Sequence, residues 1–172
     1  MADAVDAILA QWGRERPDLD VSAMGVVGRI SRAQLLLGRE LKEFFAARGL
    51  ESWEFDVLAT LRRHGAPYEL TAGALLRAAM VTSGAITNRI DRMQARGLVE
   101  RVRDTGDRRS VRVRLTPRGL EIVDEVVGLH AANEERLLAG LPPADRERLA
   151  SALRALLESL GDTSIDTAPG EP

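Results

Sequence analysis

The sequence predicts a mainly α-helical chain with a small β-wing, a winged helix-turn-helix between longer terminal helices, on three observations. A short apolar helix (LTAGALLRAAM) breaks and restarts at VTSGAITNRIDRMQARGLVERV, then passes through a charged turn, RDTGDRRS, into an alternating strand, VRVRLTP. From Arg77 to Arg118 there are eleven arginines against four acids (Asp91, Glu100, Asp104 and Asp107), a local balance of +7. The whole chain of 172 residues sums to −2, so the remainder carries −9. A nearly neutral protein with one strongly basic module is built to meet a polyanion at one place. Third, 45% of residues are hydrophobic but only 3% aromatic, a composition that suits helices packed on helices.

The elements follow in order. Val5, Ile8, Leu9 and Trp12 recur at helical spacing and predict an amphipathic helix over residues 3–15, which Pro17 closes. A longer helix is expected over 22–47, with Met24, Val27, Ile30, Leu37, Leu41, Phe44 and Phe45 apolar and Gly49 just beyond its end. Ser52 reads as the cap of a third helix whose buried stripe is Phe55, Leu58 and Leu61, and GAPYEL reads as a loop. After the wing, Thr116 and Pro117 supply an N-cap and a first-turn proline. That helix is expected to run to about Ala139, with Leu120, Val123, Val127 and Leu138 on one side. GLPPAD breaks it, and Leu149, Leu153, Leu156 and Leu160 mark a last helix.

The expected organisation is therefore N-terminal helices over 1–50, a winged helix-turn-helix DNA-binding domain over 51–116, C-terminal dimerisation helices over 117–160, and a flexible polar tail over 161–172. The terminal helices carry more apolar surface than one small winged domain can cover. Burying that surface against a second copy gives a two-fold homodimer. Two-fold symmetry in turn matches a palindromic site on double-stranded DNA.

Other classes find little support. The chain has no cysteine, which removes disulfides and thiolate metal sites. Acidic Asp3 and Asp6 stand where a signal peptide needs basic residues, and no apolar run approaches the roughly 18 residues of a membrane span, so a cytoplasmic protein without a membrane partner is expected. His64 and His130 are far apart and read as helix-end or interface residues, not metal ligands. Neither a Ser-His-Asp pattern, nor metal-ligand spacing, nor a phosphate-binding glycine loop occurs, so no enzyme activity, catalytic residue, metal or cofactor is expected.

In the helix expected over 83–96, Ile86, Ile90 and Met93 fall within about 60° of one another and face the core. The opposite face carries Gly84, Asn88, Asp91, Arg92 and Ala95, with Ser83 at the tip and Thr87 on the flank. Small, amide, hydroxyl and guanidinium groups on one face are what a major-groove helix needs. The expected wing strands are 98–102 and 111–115, the second with Val111, Val113 and Leu115 inward and Arg112 and Arg114 outward. Between them Gly106 permits a tight reversal, followed by Asp107, Arg108 and Arg109. An arginine at such a tip can enter the minor groove, and Asp107 can brace a neighbouring guanidinium.

Through TSGAITNRIDRMQARGLVER, D-x-x-D-R-R-S and VRLTPRG, the chain resembles the MarR family of bacterial transcription regulators over roughly residues 30–160. The resemblance implies a homodimer joined through its N- and C-terminal helices, bound to palindromic operator DNA as a ligand-released repressor. By position, Ser83, Gly84, Thr87, Asn88 and Arg92 match its groove-reading residues, and Asp107 and Arg109 its wing-tip pair. The extra N-terminal helix ending in QWGRERPDLD is similar to that of the urate-responsive branch, whose sensing residues correspond here to Trp12, Asp56, Arg89 and Arg101. The effector so implied is urate, or another aromatic or carboxylate anion, which arginine and an indole face would hold. The competing reading is an architectural or co-regulatory winged-helix protein that ignores ligands and binds DNA with little sequence preference.

Overall fold

The computed structural model describes residues 2–79, 86–103 and 111–165. Two compact units divide the chain, residues 1–43 and 44–172.

The first unit is built from α1 (Ala4–Glu15) and most of α2 (Ser22–Ala46). Asp3 caps α1 by accepting the Val5 and Asp6 amides, while the Asp6 carboxylate takes the Asp3 amide in return. Arg29 of α2 reaches both carboxylates, at 2.8 Å from Asp3 and 2.6 Å from Asp6. The Asp6 amide first, then Arg29 and the Val5 amide, hold the Asp3 carboxyl below its ordinary range against the opposing effect of desolvation. Close approach of the two helices depends on glycine. A Cβ at Gly28 would stand 3.4 Å from Val5 Cγ1, and one at Gly25 only 3.2 Å from Leu9 Cδ1. Val5 is consequently buried, whereas Ile8 and Trp12, expected on the same stripe, remain 44% and 41% exposed.

In the second unit, α3 (Ser52–Arg63), α4 (Ala72–Ala78) and α5 (Ile86–Ala95) pack with a three-stranded antiparallel sheet and with α6 (Pro117–Leu137). The helix α7 (Pro143–Ser159) follows. The core is Val57, Leu58, Leu61, Leu75, Ile90, Met93, Leu98, Val113 and Val123, each essentially without solvent exposure. The strands are β1 (Glu69–Thr71), β2 (Val99–Arg103) and β3 (Val111–Leu115), in the order β1-β3-β2. His64 closes α3, while His130 lies among the rings of Phe44, Phe45 and Phe55, 4.9 Å from the last.

Several expectations are corrected. The end of GAPYEL is not loop: Glu69 and Leu70 begin β1, which adds a third strand to the wing by pairing with β3. Ser52 is not the cap of α3; Glu51 holds that place, and Glu54 accepts its amide at 2.9 Å. Val111 is 46% exposed, because the inward alternation of β3 begins only at Val113. On α6 the buried neighbour of Val123 is Val126, three residues on, and Val127 faces out. Phe45 of α2 is buried, while other apolar residues of α2 and α7, including Leu35, Leu36, Leu149, Leu156 and Leu157, are exposed within the single chain, as the excess of apolar surface on the terminal helices predicts. No helix among the described residues is long and apolar enough to cross a membrane, and residues 166–172 of the tail lie outside the described residues.

Candidate functional site

The site is organised around α5. Ile90 and Met93 are buried and Ile86 is half-buried, so the predicted core face is the one observed. Thr87, Asn88, Asp91, Arg92 and Ala95 are exposed on the remainder of the helix. Ser83, Gly84, Asp107, Arg108 and Arg109, the other residues read as DNA contacts, lie outside the described residues.

Both flanks of α5 are braced. On one, the guanidinium carbons of Arg89 and Arg92 each lie 5.2 Å from the centroid of the Trp53 ring, a residue of the first turn of α3. Such contacts are worth about 0.5–2 kcal/mol, depending on desolvation. The sequence does not single out Trp53, which lies off the buried stripe of Phe55, Leu58 and Leu61. Two arginines three apart on α5 were the available signal, since they share one side of a helix and need a common neighbour. Asp56, half-buried, stands one turn along α3 from Trp53. Nη1 of Arg89 is buried and makes no hydrogen bond.

On the opposite flank, Arg101 of β2 sets Nη2 2.6 Å from Asp91 and Nη1 2.7 Å from Gln94. Asp91 and Gln94 lie about 200° and 140° around the helix from Arg89. The two arginines expected to sense together therefore hold opposite sides of α5. Trp12 belongs to the first unit, where it stands exposed on α1.

The basic excess of the module is partly balanced by the sheet register. Arg114, on the central strand, is opposite both Glu69 and Glu100, and pairs with Glu100 at 2.8 Å. Arg112 lies 3.8 Å from Glu69. Opposite charges on neighbouring strands stabilise the pairing, and they draw these guanidinium groups into the sheet.

A clasp joins the end of α5 to the start of α6. Gly97, at φ +68°, ends α5 in the left-handed conformation, with the Leu98 amide returning to Met93 O at 3.0 Å. Thr116 then donates its hydroxyl to Gly97 O at 2.7 Å and accepts the Gly119 amide at 3.0 Å. Arg118 donates to Arg96 O at 3.2 Å. Replacing Thr116 with alanine removes both the cap of α6 and this tie, and is expected to lower stability by about 1–2 kcal/mol, read from the urea midpoint. Farther back, Arg96 reaches the buried Glu54 carboxylate and Gly49 O.

An amphipathic helix supported by a core and followed at once by β2 and β3 of a three-stranded sheet is the arrangement of a winged helix-turn-helix module. Residues 48–110 match the profile of the MarR family. The chain is 42% identical over 153 residues to the HTH-type transcriptional regulator PecS of Dickeya dadantii, covering 89% of this chain and 90% of that one. Among solved structures, AbsC, a MarR family transcriptional regulator from Streptomyces coelicolor, superposes with a TM-score of 0.74 at 25% identity, covering 84% of this chain and 98% of AbsC. BpsR of Bordetella bronchiseptica, whose DNA binding is regulated by 6-hydroxynicotinic acid, superposes at 0.67 with 27% identity, covering 81% and 94%. The protein belongs to the MarR family of DNA-binding transcriptional regulators.

Proposed function

We propose that the protein is a homodimeric repressor, released from a palindromic operator by a small aromatic or carboxylate anion, with urate as the first to test. Residues 51–116 read the DNA, and the helices of 1–50 and 117–160 join two copies. The exposed apolar residues of α2 and α7 support that joining.

The observation that carries the ligand reading is Arg89. A buried guanidinium nitrogen without a hydrogen bond, on an arginine resting against an indole, is a donor prepared for a planar anion. The acid that regulates BpsR has this chemistry, a flat heteroaromatic ring with a carboxylate. Trp12, Asp56 and Arg89 would contribute to the ligand site, and Arg101 would serve it from the other flank of α5. Because Arg89 and Arg92 share Trp53, a ligand that draws Arg89 away disturbs the platform of a groove-reading side chain.

The DNA contacts assigned to this reading are Ser83, Gly84, Thr87, Asn88 and Arg92 on the helix, and Asp107, Arg108 and Arg109 on the wing. The test is fluorescence anisotropy on a duplex selected from random sequence by the wild-type protein, titrated with urate. Release of the wild type, and a folded Arg89→Ala dimer that binds the duplex but is not released, is the expected result. Release of both alike would remove Arg89 from the site. In the same assay Arg92→Ala is expected to lose about 1–3 kcal/mol of specific binding, and unchanged sequence preference would refute its assignment.

A further inference from the structure

Asp91 poses a problem for a DNA-reading helix. With the core face set by Ile86, Ile90 and Met93, the ridge farthest from the core is Asn88 and Ala95. Asp91 lies about 50° to one side of it and Arg92 about 50° to the other. A bare carboxylate at that position would face the phosphates that the module must approach. It is not bare: Arg101 holds it at 2.6 Å, while donating to Gln94 with its other terminal nitrogen. Asp91 is still 58% exposed and Arg101 33%, and together with Gln94 and Ala95 they line a shallow open hollow.

We infer that Arg101 is a charge mask for Asp91, a positioning residue that makes the recognition helix acceptable to DNA and whose withdrawal makes it repellent. The mask comes from β2 and not from α5, so it depends on how the helix and the wing stand to each other. Any movement of α5 away from β2 leaves an unneutralised carboxylate beside the groove-facing ridge. So does an anion in the hollow that takes the guanidinium for itself. Either event replaces a neutral pair with a negative charge at the edge of the DNA surface, where like charges repel strongly at low salt. This deepens the ligand-release reading by giving Arg101 a task, and its first test needs no ligand.

The experiment is a double-mutant cycle on the selected duplex, measured at about 50 and 200 mM salt. Arg101→Gln, which can keep a polar contact to Gln94, is expected to weaken binding about tenfold at the lower salt and less at the higher. Asp91→Asn is expected to bind at least as tightly as the wild type. The pair combined should return to within about twofold of it, since no charge then needs covering. A loss that Asp91→Asn does not repair would mean that Arg101 touches DNA or only supports the fold, and would overturn the mask. Unchanged binding by Arg101→Gln would do the same. Arg101→Lys keeps a cation in place and should bind within about threefold of the wild type; a loss as large as that of glutamine would assign the effect to shape instead of charge. Repair in the cycle together with no release by urate would sink the ligand reading and leave the mask standing.

Discussion

Gly119→Ala is expected to lower the stability of the protein by about 3 kcal/mol or more, well beyond what an added methyl group usually does. The reason is geometric. A Cβ at this position would fall 2.0 Å from the carbonyl oxygen of Leu98 and 3.0 Å from its carbonyl carbon. Both are backbone atoms, so no rotamer change can make room. The Leu98 carbonyl is also committed, accepting the Thr116 amide at 3.2 Å. The start of α6 and the start of the wing must therefore separate, which breaks the clasp and uncovers Leu98 and Val99, each 1% exposed in the intact fold. Urea denaturation followed by circular dichroism measures the loss. A midpoint indistinguishable from the wild type would show that the junction is not the close contact described.

Arg96→Ala is expected to lose about 2–3 kcal/mol, by a different route. Glu54 is fully buried, and its Oε1 makes no hydrogen bond. Its other oxygen serves the Glu51 amide and Arg96. Removing the guanidinium leaves a buried carboxylate facing one amide, and losses of this kind reach about 3–5 kcal/mol when both partners are buried. Arg96 itself is 43% exposed, so water can take part of its place and the smaller figure applies. Glu54→Gln in the Arg96→Ala background should recover part of the loss, since a neutral amide is cheaper to bury than a charge. Failure of that recovery, in the same urea experiment, would place the effect in the lost bond to Gly49 O instead.

Much of this architecture was legible because the long helices announce themselves by periodicity and by their ends. Thr116 and Pro117 were read as a cap and a first turn, and the Thr116 hydroxyl does accept the Gly119 amide. Ile90 and Met93 were legible as core for the same reason: a fixed angle per residue converts spacing into a face. β1 was not, since three residues with one buried side chain offer no period to detect. The charge count was also a poor guide to where free cations lie. Register places Arg114 between Glu69 and Glu100, and register is a tertiary fact. Of the candidate sensing residues, Arg89 lies on the side of α5, and Trp53, whose ring its guanidinium faces, is 36 positions away on another helix. Arg101, expected to act with it, grips the opposite side of α5 through Asp91 and Gln94. Spacing along a chain cannot tell which flank of a helix a side chain from a neighbouring strand will reach.

The indole shared by Arg89 and Arg92 also makes the molecule its own optical probe. Only two tryptophans occur, Trp12 and Trp53, so Trp12→Phe leaves a single emitter whose ring faces one arginine proposed to meet the ligand and another proposed to meet the DNA. Indole emission responds to nearby charge, and withdrawal of either guanidinium would change its colour or intensity. One spectrum could thus time the two arrivals separately, without any dye attached to the protein or the duplex.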